Sequence, residues 1–254
     1  MVKQTQVVIV GAGPAGLLLG CLLDSAGIDN IILERQTKDY VLARIRAGIL
    51  EQTSVDLLTS AGAGARLAAE GIAHHAVNIA FDDRLVSVPL GATTNGKVVT
   101  AYGQTEVTLD LCNLRAAGGS PTIYSAENVE IDNFDRDRPF ISFIHNGEAI
   151  EIACDLIAGC DGYHGVCRAS IPKSAITTYG QVYPFGWLGL LADTPPVSNE
   201  VIYANNDRGF ALCSMRSMTR SRYYIQCDPT DHINRWSDEA FWDELRRRPP
   251  AETA

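Results

Sequence analysis

Gln6-Val7-Val8-Ile9-Val10-Gly11-Ala12-Gly13-Pro14-Ala15-Gly16 passes from an apolar strand pattern into glycines, and Leu17-Leu18-Leu19-Gly20-Cys21-Leu22-Leu23 follows as a buried helix would. Strand, glycine turn and helix in that order form the phosphate-binding unit of a doubly wound sheet. Gly11 permits the tight turn, Gly13 lets backbone approach a pyrophosphate, and Gly16 lets helix and strand pack closely; the helix N-terminus adds N–H groups and positive potential. Pro14 suits a first helical turn, where its missing donor would have been free anyway. A second apolar run, Asn30-Ile31-Ile32-Leu33, ends in Glu34, about 20 residues beyond the glycines, where a carboxylate takes a ribose diol.

Composition narrows the remaining classes. The 254 residues suffice for one large or two modest domains with real cores. A formal net charge of −9 offers no basic excess to displace counterions, so neither nucleic acid nor an anionic membrane is expected as a partner. There is no apolar run of ~18 residues free of glycine and charge, and the first strand starts too early for a signal peptide. The expectation is a cytoplasmic protein without a membrane span. Seven cysteines (Cys21, Cys112, Cys154, Cys160, Cys167, Cys213 and Cys227) contain no CxxC pair and sit mostly in apolar runs, which reads as reduced, packed thiols and no metal site.

Further along, Gln36 to Arg46 reads as a polar connection in which Arg44 and Arg46 project from one face of an extended segment, either toward an anion or into solvent. Glu51 to Ala61 and Ala63 to Ala69 read as helices. Ala76 to Phe81 alternates as a half-buried strand that Leu85 to Val88 could pair with, and Lys97 to Tyr102 is a further strand. A helix capped by Thr105 runs to about Ala117. Thr122 to Phe134 and Pro139 to Ala153 form an antiparallel insertion, the latter folded on Asn146-Gly147. Asp155-Leu156-Ile157-Ala158-Gly159-Cys160-Asp161-Gly162 is a second buried strand whose carboxylate lies where doubly wound sheets bind ligands.

From Val182 the pattern changes. Gly186 to Ala192, Val201 to Ala204, Phe210 to Met215 and Arg222 to Cys227 are strands without intervening helices, so a separate antiparallel sheet is expected. Ser214 and Arg216 alternate onto one face, as do Arg222 and Tyr224, and could converge on one anion. Ser237 caps a final helix from about Asp238 to Arg248, closed by Pro249-Pro250. The predicted architecture is α/β: a Rossmann-like dinucleotide-binding domain over residues 1–180 with an antiparallel insertion, then a substrate-domain sheet over 181–254, with strands near 76–100 assignable to either.

With these stretches, Ile32-Leu33-Glu34-Arg35-Gln36, Arg44-Ile45-Arg46-Ala47-Gly48, Tyr102-Gly103-Gln104-Thr105-Glu106, Gly159-Cys160-Asp161-Gly162-Tyr163-His164-Gly165, Tyr183-Pro184-Phe185-Gly186-Trp187-Leu188-Gly189 and Arg220-Ser221-Arg222-Tyr223-Tyr224, the chain resembles the flavoprotein aromatic hydroxylases over essentially all its length. The resemblance implies bound FAD, with NADPH as cosubstrate and O₂ activated as a flavin C4a-hydroperoxide that hydroxylates a small phenolic acid. It assigns Gly11, Gly13, Ala15, Gly16, Glu34, Arg44, Ala47, Gly48, Gln104 and Asp161 to the FAD site. Arg35, Gln36, Tyr40, Arg44, Arg46 and His164 fall to NADPH. Ser214, Arg216 and Tyr224 would cradle the substrate carboxylate, Tyr203 would bond the phenol, Arg222 would lie near the flavin ring, and His74 would end a proton relay from Tyr203.

Ala15 stands where some relatives carry serine, which removes one hydroxyl contact and leaves the backbone N–H groups. Longer members of the family continue past Arg248 with a Gly-Asp flavin motif, a proline against the substrate, a second relay tyrosine and helices that form homodimers. The substrate-domain part is therefore expected to be incomplete here. Two other readings stay open on the residues: a non-catalytic FAD- or substrate-binding module, and an NAD(P)-dependent dehydrogenase that uses the first glycine motif.

Overall fold

The structure, a computed structural model, describes residues 3–44 and 48–249. From the N-terminus come β1 (Lys3–Val10), α1 (Pro14–Ser25), β2 (Asn30–Leu33), α2 (Lys38–Ala43), β3 (Ile49–Glu51), α3 (Gln52–Ser60) and α4 (Gly64–Glu70). Next are β4 (Ile72–His74), β5 (Ala76–Phe81), β6 (Arg84–Pro89), α5 (Leu90–Thr93), β7 (Val99–Ala101), α6 (Gln104–Gly118), β8 (Thr122–Ile123), β9 (Glu127–Asp132) and β10 (Phe140–His145). The remainder holds β11 (Glu148–Gly159), α7 (Val166–Ser170), β12 (Gly186–Ala192), β13 (Val201–Ala204), β14 (Ala211–Ser217), β15 (Arg220–Cys227) and α8 (Asp238–Arg246).

Among the described residues these elements gather into two compact units, one built from residues 3–44, 53–70 and 103–178, the other from 48–52, 71–102 and 179–249. The first unit contains a sheet in the order β8-β2-β1-β11-β10-β9. Its β8, β2, β1 and β11 are parallel, and β11, β10 and β9 are antiparallel. All four residues of β2 are buried, as a parallel strand covered on both faces requires. Val8, Val10, Ile31, Leu33, Ile141, Phe143 and Ile152 fill one side of the sheet. Ile9, Leu17, Ile32 and Leu111 are fully buried as well. Each such side chain stabilises the fold by about 1.5–3 kcal/mol relative to exposure.

Three local expectations are corrected. The hairpin strand and the strand toward Asp161 are one twelve-residue strand, β11, whose first half pairs with β10 from Glu148 to Ala153 and whose second half pairs with β1 from Ile152 to Gly159 without a break. Residues 38–43 are helical rather than extended, since Thr37 caps Tyr40 N–H at 3.2 Å. Gly103, with extended backbone and no side-chain bond, is the N-cap of α6, and Thr105 lies inside the helix.

Gly11 and Gly16 are demanded by backbone proximity. Gly11 has φ +108°, and a Cβ there would stand 2.4 Å from the Cys160 carbonyl oxygen; one on Gly16 would stand 1.9 Å from the Gly11 oxygen. Gly13 meets nothing within 4 Å. Gly16→Ala is therefore expected to destabilise the chain by about 1–3 kcal/mol, a drop in Tm of roughly 2–12 °C, whereas Gly13→Ala stays within about 0.5 kcal/mol of the parent. Paired thermal melts read the contrast directly.

The second unit carries a sheet in the order β12-β15-β14-β13-β5-β6 and a small one in the order β3-β7-β4. Neighbours in the larger sheet are antiparallel except β13 and β5. Ile202, Ala204, Cys213, Tyr223 and Ile225 bury one face beneath Phe241 and Leu245 of α8, which Ser237 caps by accepting the Ala240 N–H at 3.2 Å. All seven cysteines are free thiols, and burial pushes Cys21 up to about 11 and Cys213 up to about 12, so both stay protonated at neutral pH. No helix among the described residues is long and apolar enough to cross a membrane.

Candidate functional site

At the C-terminal ends of β1, β2 and β11 the first unit opens a cleft of about 810 Å³. Its lining includes Gly11, Gly13, Glu34, Arg35, Gln36, Tyr40, Arg44, Gln104, Asp161 and His164. This is where strand ends and helix N-termini leave backbone donors facing outward in a doubly wound sheet. Glu34 ties the loop together: Oε2 accepts the Ala12 N–H at 2.8 Å and Oε1 the Gln36 N–H at 2.9 Å. Each carboxylate oxygen keeps a lone pair for a ribose hydroxyl. With no atom near a Cβ at Gly13, the loop presents bare backbone, so the residues fit the diphosphate and ribose of a dinucleotide.

The basic side of the cleft is partly organised. Arg44 donates from Nη1 to the Tyr40 hydroxyl at 2.6 Å, and its guanidinium lies 5.7 Å from the Tyr40 ring centroid. Asp161 is engaged by Oδ2 with the Cys167 N–H at 2.9 Å. A Cβ on Gly165 would fall 1.9 Å from the Asp161 carboxyl carbon, so glycine is needed for that turn. Tyr163 packs edge-on to His164 and carries Arg168 over its ring. Ala15 and Gly16 do not line the cleft; Gly16 serves the packing described above. Arg46 and Ala47 lie outside the described residues.

In the second unit, register brings the other polar group together. Tyr203 is opposite Leu212, Leu212 opposite Tyr224, and Ser214 opposite Arg222, so these side chains share the face turned away from α8. Arg216 continues the row after a register shift. The Tyr224 ring lies over Gly189, where a Cβ would meet Cε1 at 2.8 Å, and Arg222 stacks 5.1 Å from the Tyr224 centroid. Ser214 donates a long 3.5 Å bond to the Arg222 carbonyl, and Tyr203 is half-exposed beside Phe210.

Arg216 is the electrostatic centre of this face. Burial, and then the like charge of Arg222, pull its guanidinium from 12.5 down to about 10, so it stays charged at neutral pH but disfavoured by its surroundings. An arriving anion relieves both causes. Gly48 belongs to this unit, not to the cleft: a Cβ there would stand 1.0 Å from Arg216 Nη1, so the guanidinium rests against the glycine backbone.

His74 is fully buried and pairs through Nδ1 with Glu200 Oε2 at 3.0 Å. Glu200 is absent from the sequence-based candidates because 126 positions separate the pair and no motif marks it. Among the described residues no group of three or more His, Cys, Asp or Glu could hold a metal ion.

The p-hydroxybenzoate hydroxylase of Acinetobacter baylyi is 55% identical over 245 residues, 96% of this chain and 60% of that protein. The 3-amino-4-hydroxybenzoate 2-monooxygenase of Streptomyces cremeus is 28% identical over 180 residues, 68% of this chain and 43% of its own length. The chain thus spans 60% or less of the length of these relatives. Among solved structures, p-nitrophenol 4-monooxygenase PnpA from Pseudomonas putida DLL-E4 superposes with a TM-score of 0.83 at 16% identity, covering 99% of this chain and 65% of PnpA, which shows a common fold. The glycine loop, Glu34 and the cleft they line fall within residues 4–254, which match the family model described as FAD binding domain, and the chain belongs to that family.

Proposed function

We propose that the protein is an FAD-dependent aromatic hydroxylase that converts 4-hydroxybenzoate to 3,4-dihydroxybenzoate with NADPH and O₂. The observation that carries this reading is the face of the second unit's larger sheet turned away from α8, where Tyr203, Ser214, Arg216, Arg222 and Tyr224 stand in adjoining rows. Bound FAD supplies the activation of O₂; the chain's residues do the rest. Gly11, Gly13, Glu34, Gln104 and Asp161 hold the dinucleotide in the cleft, and Arg35, Gln36, Tyr40, Arg44 and His164 bring cationic and aromatic contacts to NADPH. Arg216, with the hydroxyls of Ser214 and Tyr224, holds the substrate carboxylate by charge-assisted bonds whose planar fork a lysine would not reproduce. A phenolate donates electrons from its ring far better than a phenol. Tyr203 stabilises that charge as it develops by hydrogen-bonding the ring oxygen.

The 60% coverage of the Acinetobacter relative favours a second reading, a flavin- and substrate-binding piece without turnover. An absorbance spectrum of the purified chain after FAD addition and removal of free cofactor, followed by NADPH oxidation with and without 4-hydroxybenzoate, separates the two. Bound flavin, substrate-stimulated oxidation and 3,4-dihydroxybenzoate formation support the hydroxylase. A yellow chain that forms no product supports the binding piece, and a colourless one overturns both.

Gly48→Ala tests the support under Arg216. The guanidinium is the far end of a flexible chain and swings aside, so Tm is expected to change little. An off-rotamer arginine costs about 0.5–1.5 kcal/mol, so 4-hydroxybenzoate affinity should fall roughly two- to tenfold. Titration of the flavin absorbance with 4-hydroxybenzoate measures it; unchanged affinity would separate Gly48 from the carboxylate site.

A further inference from the structure

Phe210 immediately precedes β14, two residues before Leu212, the cross-strand neighbour of Tyr203, so its ring reaches Tyr203 on the diagonal. The two ring centroids are 5.8 Å apart and the planes are tilted by 42°. On its other side the Phe210 ring meets Trp187 edge-on at 5.1 Å, and Trp187 in turn stands edge-on to Tyr224 at 6.5 Å. Aromatic pairs attract at such separations. The backbone beneath the ring is held at both its polar groups. The Phe210 N–H donates to Gln226 Oε1 at 3.1 Å, and its carbonyl accepts the Gln226 N–H at 2.9 Å and Arg248 Nη1 at 2.8 Å. Arg248 is buried and fixed in its turn, donating to Glu244 Oε1 from Nε at 3.1 Å and from Nη2 at 3.0 Å.

Along the chain through β14, Phe210 falls on one side of the cross-strand row Tyr203, Leu212 and Tyr224, and Ser214 and Arg216 fall on the other. We propose that Phe210 is a positioning residue that stops the Tyr203 phenol from leaning away from Arg216, and so sets the span that selects a para- over a meta-hydroxylated benzoate. This rests on the hydroxylase reading above. The para isomer carries its hydroxyl at the end of the ring remote from its carboxylate, whereas the meta isomer brings the two closer together. With Tyr203 backed by a ring whose backbone is clamped, the para isomer meets both groups at once and the meta isomer meets one. A ring that merely covered apolar surface would leave that choice unaffected.

Phe210→Leu removes the ring while keeping a large apolar side chain, and Phe210→Tyr restores an aromatic one. Kd is read from the flavin absorbance of FAD-loaded protein titrated with 4-hydroxybenzoate, 3-hydroxybenzoate and benzoate. In Phe210→Leu, 4-hydroxybenzoate is expected to bind roughly two- to tenfold more weakly, the scale of one aromatic pair, while the other two change by less than about twofold. Phe210→Tyr is expected to keep the parent's selectivity. Equal weakening of all three ligands, or an unchanged affinity for 4-hydroxybenzoate, overturns the proposal. A second readout needs no ligand. Fluorine-19 NMR of the chain labelled with 3-fluorotyrosine, with Tyr203 assigned from the line lost in Tyr203→Phe, is expected to show that line narrower in Phe210→Leu than in the parent, because a ring released from its neighbour reorients faster. An unchanged width also overturns it. Should the parent bind none of the three ligands, the hydroxylase reading fails while the fluorine line still decides whether Phe210 holds Tyr203.

Discussion

Arg216→Ala is expected to weaken 4-hydroxybenzoate binding by about 2–5 kcal/mol, roughly 30- to several-thousand-fold in Kd, the scale for removing one partner of a buried charge pair. Stability should move the other way or not at all. The guanidinium is held down to about 10 by burial first and by Arg222 second, which means that folding disfavours its charge. By linkage, a base whose folded value lies below its unfolded value opposes folding wherever the unfolded chain is protonated, and that includes neutral pH. The variant should therefore melt no lower than the parent while losing ligand. A parallel loss of Tm and affinity would make Arg216 a structural residue, and an unaltered Kd would put the carboxylate elsewhere. Phenols without a carboxylate should bind parent and variant alike.

Asp24→Ala is expected to destabilise the first unit by about 3–5 kcal/mol, roughly 6–20 °C in Tm, because it leaves a buried cation without its counter-charge. Arg115, only 2% exposed, donates from Nη1 to Asp24 Oδ2 at 2.7 Å and to Asn30 Oδ1 at 2.7 Å, and from Nη2 to the Pro121 carbonyl at 2.9 Å. Asp24 Oδ1 in turn accepts from Asn30 Nδ2 at 2.7 Å and Ser120 Oγ at 2.8 Å. The cluster pins α6 to α1 and β2. Desolvation offsets most of what the ion pair contributes, so replacing both charges together, as in Asp24→Leu with Arg115→Met, should cost far less than the single change. A double-mutant cycle in denaturant checks this; a double variant as unstable as Asp24→Ala would show that the cluster acts through shape rather than charge.

What was legible in the sequence was local. The glycine spacing, the apolar runs and the distance to Glu34 specify a strand-turn-helix-strand path without reference to the rest of the chain. Alternation alone placed Ser214, Arg216, Arg222 and Tyr224 on shared faces, since strand period is fixed at two. Pairings set by register were not legible. His74 meets Glu200 only because β5 and β13 are parallel, and Arg115 meets Asp24 only when two helices cross. Gly48 carries the same lesson: nothing in its own stretch marks that a Cβ there would stand against the Arg216 guanidinium, 168 positions away. Helix α2 was missed because six residues, none of them buried, are too few to show a helical period.

The central parallel pair of the first unit sets Lys3 opposite Ile152 and Val10 opposite Gly159. On the ribosome, β1 therefore waits for about 150 further residues, roughly 8–30 s at ordinary elongation rates, before its second neighbour exists. During that interval β2 can cover one edge of β1, while the other stays open to wrong partners. The nucleotide cleft, which needs Asp161 from the far end of β11, is among the last parts of this unit that translation can complete.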